Sequence, residues 1–532
     1  MTDSSVHTEA AVTPATGPEG QGKDKGEDGR GRGPRQRSSR RAGRILRWSA
    51  ASLAVLVLGT AGAGYFYYEH LNHNIKKARL NLGDSAAPEA APNAAGQTPL
   101  NILLIGSDSR NTARNLKLGG SRDDVGRPPL ADVQMLVHLS ADRTNMSVVS
   151  LPRDTMIPIP KCTDPKNGHV YDALPLAMAN RSLERGGPGC TVAAWTELTH
   201  HQVHIDHFMM VDFSGVVDMA DAIGGVPVCV DQNVWSRHGS GLKLRKGETR
   251  VTGVQALQWL RTRYGFEDGT DIGRTHAQHM YMNSMARELR KNARIDKPAQ
   301  MRALAEAATK ALTVDDGLGT IKKLYDLMGE MQKVPTERIT TTTLPVVEWP
   351  QDPDRRIPAP GDAEQVLSMI IDDAPMDGRA STPKPAQQPQ DPSQDTAAAQ
   401  ADIAVQVRNG TGSATLAQVP GRAGAVVQVL QGKGFTRAVQ DGTAASGADT
   451  SVQFPSADLE GDAQAVAEAL GIPSGRVHQS TGVSGVTLTV GADWRTGDAY
   501  PKTVTPDRPP ASAAVQHGDE VGCMKVQKGY TW

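Results

Sequence analysis

The sequence predicts an α/β protein with a central mixed sheet flanked by helices, a second and smaller α/β domain, and one N-terminal transmembrane helix. Three observations predict this class. An uncharged apolar run lies near the N-terminus, apolar strand-like runs and helical segments fill the middle of the 532-residue chain, and strands and helices alternate again near its end. A chain of this length can hold two or three domains with a sizeable core.

The N-terminal region combines a polar tail with the apolar run. Residues 1–43 have almost no large apolar side chains and are predicted to form a disordered cytoplasmic tail. Eight arginines between Arg30 and Arg47 precede an uncharged run, and residues 44–68 are predicted to cross the membrane as a helix. The arginines lie only on the N-terminal side, which is therefore predicted to be cytoplasmic, with the main domains extracytoplasmic. A cleaved signal peptide is the main alternative.

Nucleic acid is not predicted as a partner. The arginine run is a candidate for nucleic-acid binding, but it has no interleaved aromatic residues and directly precedes the apolar run. The predicted orientation also leaves no folded part of the chain in the cytoplasm.

Changes in composition divide the rest of the chain. Residues 69–98 are predicted to form a stalk, residues 99–374 the main domain, residues 375–401 an extended linker, residues 402–494 a small domain, and residues 495–532 a tail. Strand-like and helical segments alternate in the small domain, which shows no cluster of titratable residues. A binding or spacer role is therefore predicted for it.

Four cysteines follow the apolar run, on the side where disulfides form if the predicted orientation holds. Cys162 with Cys190 is the first choice of pair. Cys229 lies in an apolar PVCV segment that suits a buried thiol, and Cys523 lies near the end of the tail. The sequence leaves the pairing open.

Charged residues lie at the ends of three apolar runs in the main domain. Asp108 and Arg110 follow NILLIGS, Asp132 precedes VQMLVHLS, and Arg153 follows MSVVSLP. A short polar turn joins the second run to the third and predicts a β-hairpin, which places Asp132 beside Arg153. Asp108 and Arg110 join them at the same edge if the first strand runs parallel to the third. Solvated charges at strand ends are the alternative interpretation.

A second group of charged residues follows in GVQALQWLRTRYGFEDGTDIGRTHAQH, which predicts a short helix, a loop and a long helix. Arg261 and Arg263 are two residues apart and project to one face if their segment is extended. Asp271 is predicted to cap the N-terminus of the long helix. Arg274 and Gln278 are four residues apart and are predicted to share one of its faces.

The residue types in these two groups point to phosphate chemistry. Guanidinium groups stay charged at neutral pH and match phosphate geometry, while Mg²⁺ prefers carboxylate and phosphate oxygens together. The groups therefore predict a magnesium-bound phosphate ester and phosphoryl transfer. A zinc site in THHQVHIDH is an alternative, because spacing allows three of its histidines to share a helix face, but no convincing fourth ligand accompanies them.

Taken together, these motifs resemble the LytR-CpsA-Psr family over roughly residues 99–280; they are NILLIGSDSR, ADVQMLVHLSADR, VVSLPRDTMIPIP, GGPGCTV, QALQWLRTR and DIGRTHAQH. Residues 402–494 resemble the LytR C-terminal domain often attached in actinobacterial members. The resemblance implies a membrane-anchored enzyme that uses Mg²⁺ to transfer a polyprenyl-pyrophosphate-linked glycopolymer, such as a teichoic acid, to peptidoglycan.

The resemblance also implies roles for individual residues. The candidate catalytic residues are Asp108, Asp132, Arg153, Arg261 and Arg263. Within this set the two aspartates match family positions that hold the metal, and the three arginines match positions that hold the pyrophosphate. The candidate substrate-binding residues are Arg110, Asp271, Arg274 and Gln278.

The sequence departs from the family pattern at two positions. Leu130 and Ala277 stand where the family often has arginines. Arg127 or Arg122, in the loop before Leu130, is a candidate to replace the first of them. These departures keep open a non-catalytic, membrane-anchored binder or regulator of wall polymers. A pyrophosphatase that releases the lipid head group is a further alternative, because it would use the same residues and differ only in the acceptor.

Overall fold

A computed structural model describes the following residues: 39–82, 85–90, 92–93, 95–109, 112–119, 126–292, 298–379, 397–412, 417–443, 445, 450–473, 476–480, 482–501 and 508–532. The chain divides into two compact units, Met1–Phe66 and Tyr67–Trp532. The predicted α/β class is confirmed.

The helices are α1 (Ser39–Asn74), α2 (Ala113–Gly119), α3 (Pro188–Leu198), α4 (Phe213–Ile223), α5 (Gly253–Arg261), α6 (Asp271–Asn292), α7 (Pro298–Ala311), α8 (Ile321–Gln332), α9 (Asp362–Ile371), α10 (Arg422–Gly432) and α11 (Glu460–Leu470). The strands are β1 (Lys76–Lys77), β2 (Leu100–Ser107), β3 (Ala131–Leu139), β4 (Met146–Ser150), β5 (Met156–Ile159), β6 (Cys162–Thr163), β7 (Val170–Tyr171), β8 (Leu174–Met178), β9 (His207–Val211), β10 (Val226–Val230), β11 (Val234–Trp235), β12 (Lys243–Leu244), β13 (Gly247–Val251), β14 (Leu312–Val314), β15 (Ile339–Thr343), β16 (Val346–Trp349), β17 (Asp352–Pro358), β18 (Val405–Asn409), β19 (Val439–Asp441), β20 (Ser451–Phe454), β21 (Val477–Gln479), β22 (Val486–Val490) and β23 (Gln516–His517).

Helix α1 contains the apolar run. Its segment Arg47–Asn74 has 28 residues and contains an 18-residue window with a mean hydropathy of 1.5, which makes it long and apolar enough to cross a membrane. The helix starts before the predicted span of residues 44–68 and ends after it.

The main sheet is mixed, as predicted, and has the order β1-β14-β9-β2-β3-β4-β15-β23. Strand β3 is antiparallel to both β2 and β4, so the predicted hairpin of β3 and β4 is confirmed. Strands β9 and β15 pair in parallel with β2 and β4. Strands β2 and β4 therefore run in the same direction, and their C-terminal ends lie at the edge where β3 begins. We call this the site edge.

The register at the site edge differs in one detail from the prediction. Strand β3 begins at Ala131, so Asp132 lies inside the strand rather than before it. The pairing of β2 with β3 shifts register between Gly106 and Ser107. A Cβ on Gly106 would lie 2.8 Å from the Cβ of Val133, so glycine lets the two strands approach closely here.

Helices cover both faces of the main sheet because successive strand residues point to opposite sides. Leu103 and Ile105 pack with Trp195 of α3 in one buried cluster. Ile102 packs in another cluster with Leu327 of α8. The site edge is therefore supported by a packed core on each side.

The small domain has a five-stranded sheet of order β19-β18-β22-β20-β21, with its own buried cluster. Helices α10 and α11 contribute Val426, Leu430 and Val466 to that cluster, beside Val407 of β18 and Leu488 of β22. The predicted second α/β domain is confirmed.

The tail returns to the main domain. Strand β23 adds an edge strand to the main sheet beside β15, Ala513 is buried in the cluster that contains Trp195, and Met524 is buried beside β10. The sequence does not predict these contacts, because apolar residues in the tail follow no helical or strand-like spacing.

Two disulfides are present. The first choice of pair, Cys162 with Cys190, is confirmed. The prediction of a buried thiol at Cys229 is wrong, because Cys229 is bonded to Cys523 of the tail. The amide of Met524 donates to the Cys229 carbonyl at 2.9 Å, so the tail runs directly alongside β10.

Candidate functional site

The hairpin brings two predicted residues into contact at the site edge. Arg153, just beyond β4, donates from Nη1 to Oδ1 of Asp132 at 3.0 Å. Both side chains are about one quarter exposed, so the pair faces a partly open surface. The predicted neighbourhood of Asp132 and Arg153 is confirmed.

A single carboxylate, that of Asp271, gathers three arginines beside this pair. Arg274 donates to its Oδ2 at 2.6 Å, Arg263 forms an ion pair with its Oδ1, and Nε of Arg153 lies 3.9 Å from Oδ2. We call these four residues together with Asp132 the Asp271 network. Asp271 is 14% exposed, so these contacts are largely shielded from water, which strengthens them.

The N-terminal cap of α6 explains why the Asp271 carboxylate is available to pair with the arginines. The helix starts at Asp271, and the amide of Ile272 donates to the hydroxyl of Thr270 at 3.2 Å. Thr270 thus occupies the N-cap position, and the prediction of Asp271 as the cap is wrong. The Asp271 carboxylate turns instead toward the arginines.

The surroundings of the network shift the pKa of Arg274 and that of Arg153 in opposite directions. Burial lowers the pKa of Arg274 to about 10, against the attraction of Asp271. Burial also opposes the charge of Arg153, but the carboxylates of Asp132 and Asp271 outweigh it and raise the pKa of Arg153. The Nε atoms of Arg263 and Arg274 are buried and have no hydrogen-bond partner among the described residues. Such donors suit an anionic ligand.

A cavity of about 10 Å³ lies beneath the network. It is large enough for about one water molecule. Arg274 and Gln278 both line it, which confirms that they share a face of α6. Gln278 also donates to the Leu260 carbonyl at 3.0 Å and so ties α6 to α5.

Asp108 lies at the site edge with a different arginine. Its side chain is 4% exposed, accepts from the amide of Leu130 at 2.7 Å and forms an ion pair with Arg127. Arg127 therefore supplies a guanidinium next to the position where Leu130 departs from the family pattern. Arg110 and Arg122 lie outside the described residues.

The two aspartates suit a magnesium ion only in company with phosphate. Asp108 and Asp132 present hard carboxylate oxygens from adjacent strands, yet each is engaged by an arginine. Within the described part of the chain, no group of three or more His, Cys, Asp or Glu residues is placed to hold a metal. Mg²⁺ bound through phosphates needs only one or two protein carboxylates. The donor set therefore fits a magnesium–pyrophosphate group.

Arg261 and Arg263 diverge, contrary to the prediction that they project to one face. Arg261 is still helical, as the last residue of α5, so the segment is not extended there. Its guanidinium donates to the carbonyls of Leu118 and Gly119 at 3.1 Å each and lies 4.8 Å from the ring centroid of Phe213. These contacts tie Arg261 to the end of α2, whereas Arg263 joins the Asp271 network.

Several residues around the cavity were missed by sequence reasoning. Ser150, Thr275 and Gln134 line it. The hydroxyl of Ser150 hydrogen-bonds Nε2 of His279 at 2.6 Å, and burial lowers the pKa of His279 to about 3, so the imidazole is neutral. Ser150 belongs to an apolar run, in which no local signal separates a cavity residue from a core residue.

The second departure from the family pattern has a packing explanation. Ala277 is fully buried, and its carbonyl accepts from the indole nitrogen of Trp259 at 2.9 Å. An arginine side chain at this position would displace the core around Trp259. The α6 face at Ala277 is therefore built for packing in this chain.

The histidines of THHQVHIDH have separate partners. His201 pairs with Glu197, His204 contacts the Ala87 carbonyl, and His207 pairs with Asp315. This arrangement gives the alternative of a zinc site no support.

Comparisons with known proteins show which families and proteins the chain resembles. The model of the LytR_cpsA_psr family matches residues 65–359, and that of the LytR cell envelope-related transcriptional attenuator matches residues 402–494. The chain is 28% identical over 465 residues to the cell wall biosynthesis protein LcpA of Corynebacterium glutamicum, covering 82% of this chain and 84% of that protein. It is 28% identical over 247 residues to the polyisoprenyl-teichoic acid–peptidoglycan teichoic acid transferase TagU of Bacillus cereus, covering 46% of this chain and 71% of that protein. A solved LytR-Csp2A-Psr enzyme from Actinomyces oris is 20% identical, covers 56% of this chain and 96% of that one, and has a TM-score of 0.39.

Proposed function

This chain belongs to the LytR-CpsA-Psr family, and we propose that it is a membrane-anchored, magnesium-dependent phosphotransferase that attaches a polyprenyl-pyrophosphate-linked wall glycopolymer to peptidoglycan. The observation that carries the proposal is the Asp271 network, in which three arginines converge at the site edge. The names of LcpA and TagU support a cell-wall polymer, teichoic-acid-like or otherwise anionic, as the transferred group.

The arginines of the network would bind the pyrophosphate. Arg153, Arg263 and Arg274 are charged, partly buried and held in place by carboxylates. A pyrophosphate offers several oxygens to these forked donors, including the two Nε atoms that lack a partner among the described residues. Because the donors are already oriented, little reorganisation accompanies the charge that develops on the leaving phosphate.

Asp108 and Asp132 would hold the magnesium ion. When bound, the ion supplies Lewis-acid neutralisation of the phosphate oxygens. The Asp108 carboxylate accepts a hydrogen bond from the Leu130 amide, and Asp132 is the second residue of strand β3. Each carboxylate is therefore held in a defined position. Arg127 and Arg153, which now pair with these carboxylates, would lie beside the phosphate oxygens of a magnesium-bound pyrophosphate.

In the proposed reaction, one O–P bond forms and one P–O bond breaks. A peptidoglycan hydroxyl forms a new O–P bond to the phosphorus next to the sugar, and the bridging P–O bond breaks. Polyprenyl phosphate leaves, and the hydroxyl proton passes to solvent or to the leaving group. Helix α1, with its apolar segment Arg47–Asn74, would anchor the protein at the membrane that carries the lipid donor.

The test uses the full-length protein in detergent micelles with a polyprenyl-pyrophosphate-linked glycopolymer and peptidoglycan. We expect transfer in Mg²⁺ and its loss in EDTA. Arg263→Ala and Arg274→Ala should each lower turnover by about 100-fold, the usual effect of removing one charge-stabilising donor. Arg181→Ala is the control, because Arg181 is an exposed arginine paired with Glu184 outside the site.

The outcomes separate the three functions. Transfer to peptidoglycan supports the phosphotransferase. Release of the polymer phosphate into water, with no product on peptidoglycan, would identify a pyrophosphatase. Binding of the donor with no turnover would leave a non-catalytic wall-polymer binder.

A further inference from the structure

Four aromatic side chains form one surface patch on the main domain, although aromatic residues make up only 4% of the chain. They are Trp235 on β11, Tyr264 between α5 and α6, and Tyr530 and Trp532 of the tail. We call them the aromatic patch. The amide of Trp235 donates to the Tyr530 carbonyl at 2.8 Å, and the rings of Tyr264 and Tyr530 are stacked with centroids 6.5 Å apart. The indole nitrogen of Trp532 donates to the carbonyl of Val234 at 3.1 Å.

The rings of the aromatic patch are only partly exposed. Trp235, Tyr264 and Trp532 are 36%, 48% and 46% exposed, whereas Trp48 and Phe66 of the apolar helix are 73% and 75% exposed. About one third to one half of each of these three residues therefore stays open to a partner. They are less exposed than Trp48 and Phe66, which favours stacking of a partner over membrane insertion.

Basic side chains accompany the rings. Nζ of Lys243 lies 4.2 Å from the ring centroid of Trp532 and 4.6 Å from that of Trp235, and the guanidinium of Arg237 lies 4.9 Å from the Trp235 centroid. Other exposed basic residues nearby in the sequence are Arg245 and Lys246, which follow β12, and Lys525 and Lys528 of the tail. The patch is therefore both aromatic and cationic.

The aromatic patch is continuous with the loop that carries the candidate site. Tyr264 directly follows Arg263, a member of the Asp271 network. Gln527, three residues before Tyr530, accepts from the Gly265 amide at 2.9 Å. A long polymer lying on the patch would therefore extend toward the site edge.

We propose that the aromatic patch binds the acceptor, a carboxylate-bearing glycan strand. Pyranose rings present flat C–H faces that stack on aromatic rings, and carboxylates pair with Lys243 and Arg237. The proposal deepens the proposed function and rests on it for the choice of peptidoglycan as the glycan. The patch holds the acceptor, and the Asp271 network holds the donor.

The experiment measures co-sedimentation of the full-length protein, in detergent micelles, with purified peptidoglycan sacculi and no donor. We expect Trp235→Ala with Trp532→Ala to weaken binding roughly tenfold, which corresponds to about 1.4 kcal/mol. Trp235→Phe with Trp532→Phe keeps two ring faces and should retain most of the binding. Tyr325→Ala is the matched control, because Tyr325 is an exposed aromatic residue on α8, outside the patch. Lys243→Gln should weaken binding less, and mainly at low salt.

A second measurement keeps the two proposals distinguishable. Inorganic pyrophosphate with Mg²⁺ should bind equally well to the wild type and to every patch variant. Unchanged sacculus binding in the two alanine variants of the patch, Trp235→Ala with Trp532→Ala and Tyr264→Ala, would overturn the inference. If the wild type transfers no polymer but sacculus binding still follows the patch, the proposed function fails and the glycan surface stands.

Docking on the membrane is the competing outcome. The full-length protein is placed in nanodiscs that contain brominated phosphatidylglycerol, and its tryptophan fluorescence is measured. Quenching that disappears in the Trp235→Ala, Trp532→Ala variant would place the patch against lipid and overturn the inference. Quenching equal in this variant and in the wild type supports it.

Discussion

Each arginine of the Asp271 network is paired with a carboxylate. Arg263 and Arg274 share Asp271, and Arg153 lies between Asp271 and Asp132. Guanidinium groups fixed in this way are ordered before any ligand arrives, so the binding of a phosphate does not have to order them. The residue types could be predicted from the sequence, but their partners could not.

Arg127 pairs with Asp108, whose carboxylate also accepts from the Leu130 amide, so we propose that it replaces the family arginine at Leu130. Arg127→Ala should lower transfer about 100-fold, because Asp108 then loses its ion pair with Arg127. Adding Leu130→Arg to this variant should restore most of the activity, since it returns an arginine to the neighbouring position. The measurement is polymer transfer by the two variants, with Arg181→Ala as the control. A double variant as inactive as Arg127→Ala alone would show that Arg127 does not replace the family arginine.

His279 should make the protein sensitive to acid. Its folded-state pKa of about 3 lies below the ordinary 6.5, so between these values the unfolded chain binds a proton that the folded protein does not. The free energy of unfolding therefore falls as the pH is lowered from 6.5 toward 3, by about 2 kcal/mol at pH 5.

His279→Gln should remove this dependence of the free energy of unfolding on pH, because glutamine can keep the hydrogen bond to Ser150 without taking up a proton. Urea unfolding at pH 7 and pH 5 measures it, with the exposed His169→Gln as the control. Equal acid sensitivity in the wild type and His279→Gln would assign the effect to other groups.

The site depends on how three strands, one helix and one loop meet. Strands β2, β3 and β4 bring Asp108, Asp132 and Arg153 to the site edge, because β3 is antiparallel to both neighbours. Helix α6 adds Arg274, and the loop before it adds Arg263. The strands are supported by the core, whereas the loop is held by the tail: the Glu267 amide donates to the Lys525 carbonyl at 2.9 Å.

Gln527 is the side chain of the tail that holds this loop. It accepts from the Gly265 amide at 2.9 Å and donates to the Asp268 carbonyl at 3.3 Å. Gln527→Ala should raise the KM for the lipid donor about fivefold with a smaller change in kcat, because the loop that places Arg263 loses two hydrogen bonds of about 1 kcal/mol each and about half of that loss weakens donor binding. Gln365→Ala is the matched control, since Gln365 also bonds the tail, at the Arg508 carbonyl. The same KM in both variants would contradict a positioning role.

The chain leaves the main domain, forms the small domain and then returns. The bond between Cys229 and Cys523 closes a loop of 294 residues, whereas Cys162 and Cys190 are 28 residues apart. In the chain-entropy account, a cross-link stabilises the folded state more when it closes a longer loop. The longer loop contains the second half of the main domain, the small domain and most of the tail.

Removing the two disulfides should have unequal effects. We expect Cys229→Ser with Cys523→Ser to lower the free energy of unfolding by about 2 kcal/mol more than Cys162→Ser with Cys190→Ser. Urea unfolding of the two full-length variants under oxidising conditions measures the difference. Equal losses would show that structure retained in the unfolded chain, and not loop length, sets the contribution of each bond.

Local patterns were sufficient for the parts of this protein that depend on neighbours in sequence. The apolar run, strands β2 to β4, the hairpin that places Asp132 beside Arg153, and the shared face of Arg274 and Gln278 all follow from periodicity and short spacings. Motif resemblance added the family. These features need contacts over only a few residues, or an alternation that is visible along the chain.

The remaining features depend on residues that are distant in sequence. The partners of Asp271, the pair of Arg127 with Asp108, the divergence of Arg261 from Arg263 and the return of the tail to β10 arise when separate elements pack together. Periodicity carries no information about which loop a charged side chain will meet. Packing of the sheet, the helices and the tail sets those distances, and so it sets the geometry on which the proposed chemistry depends.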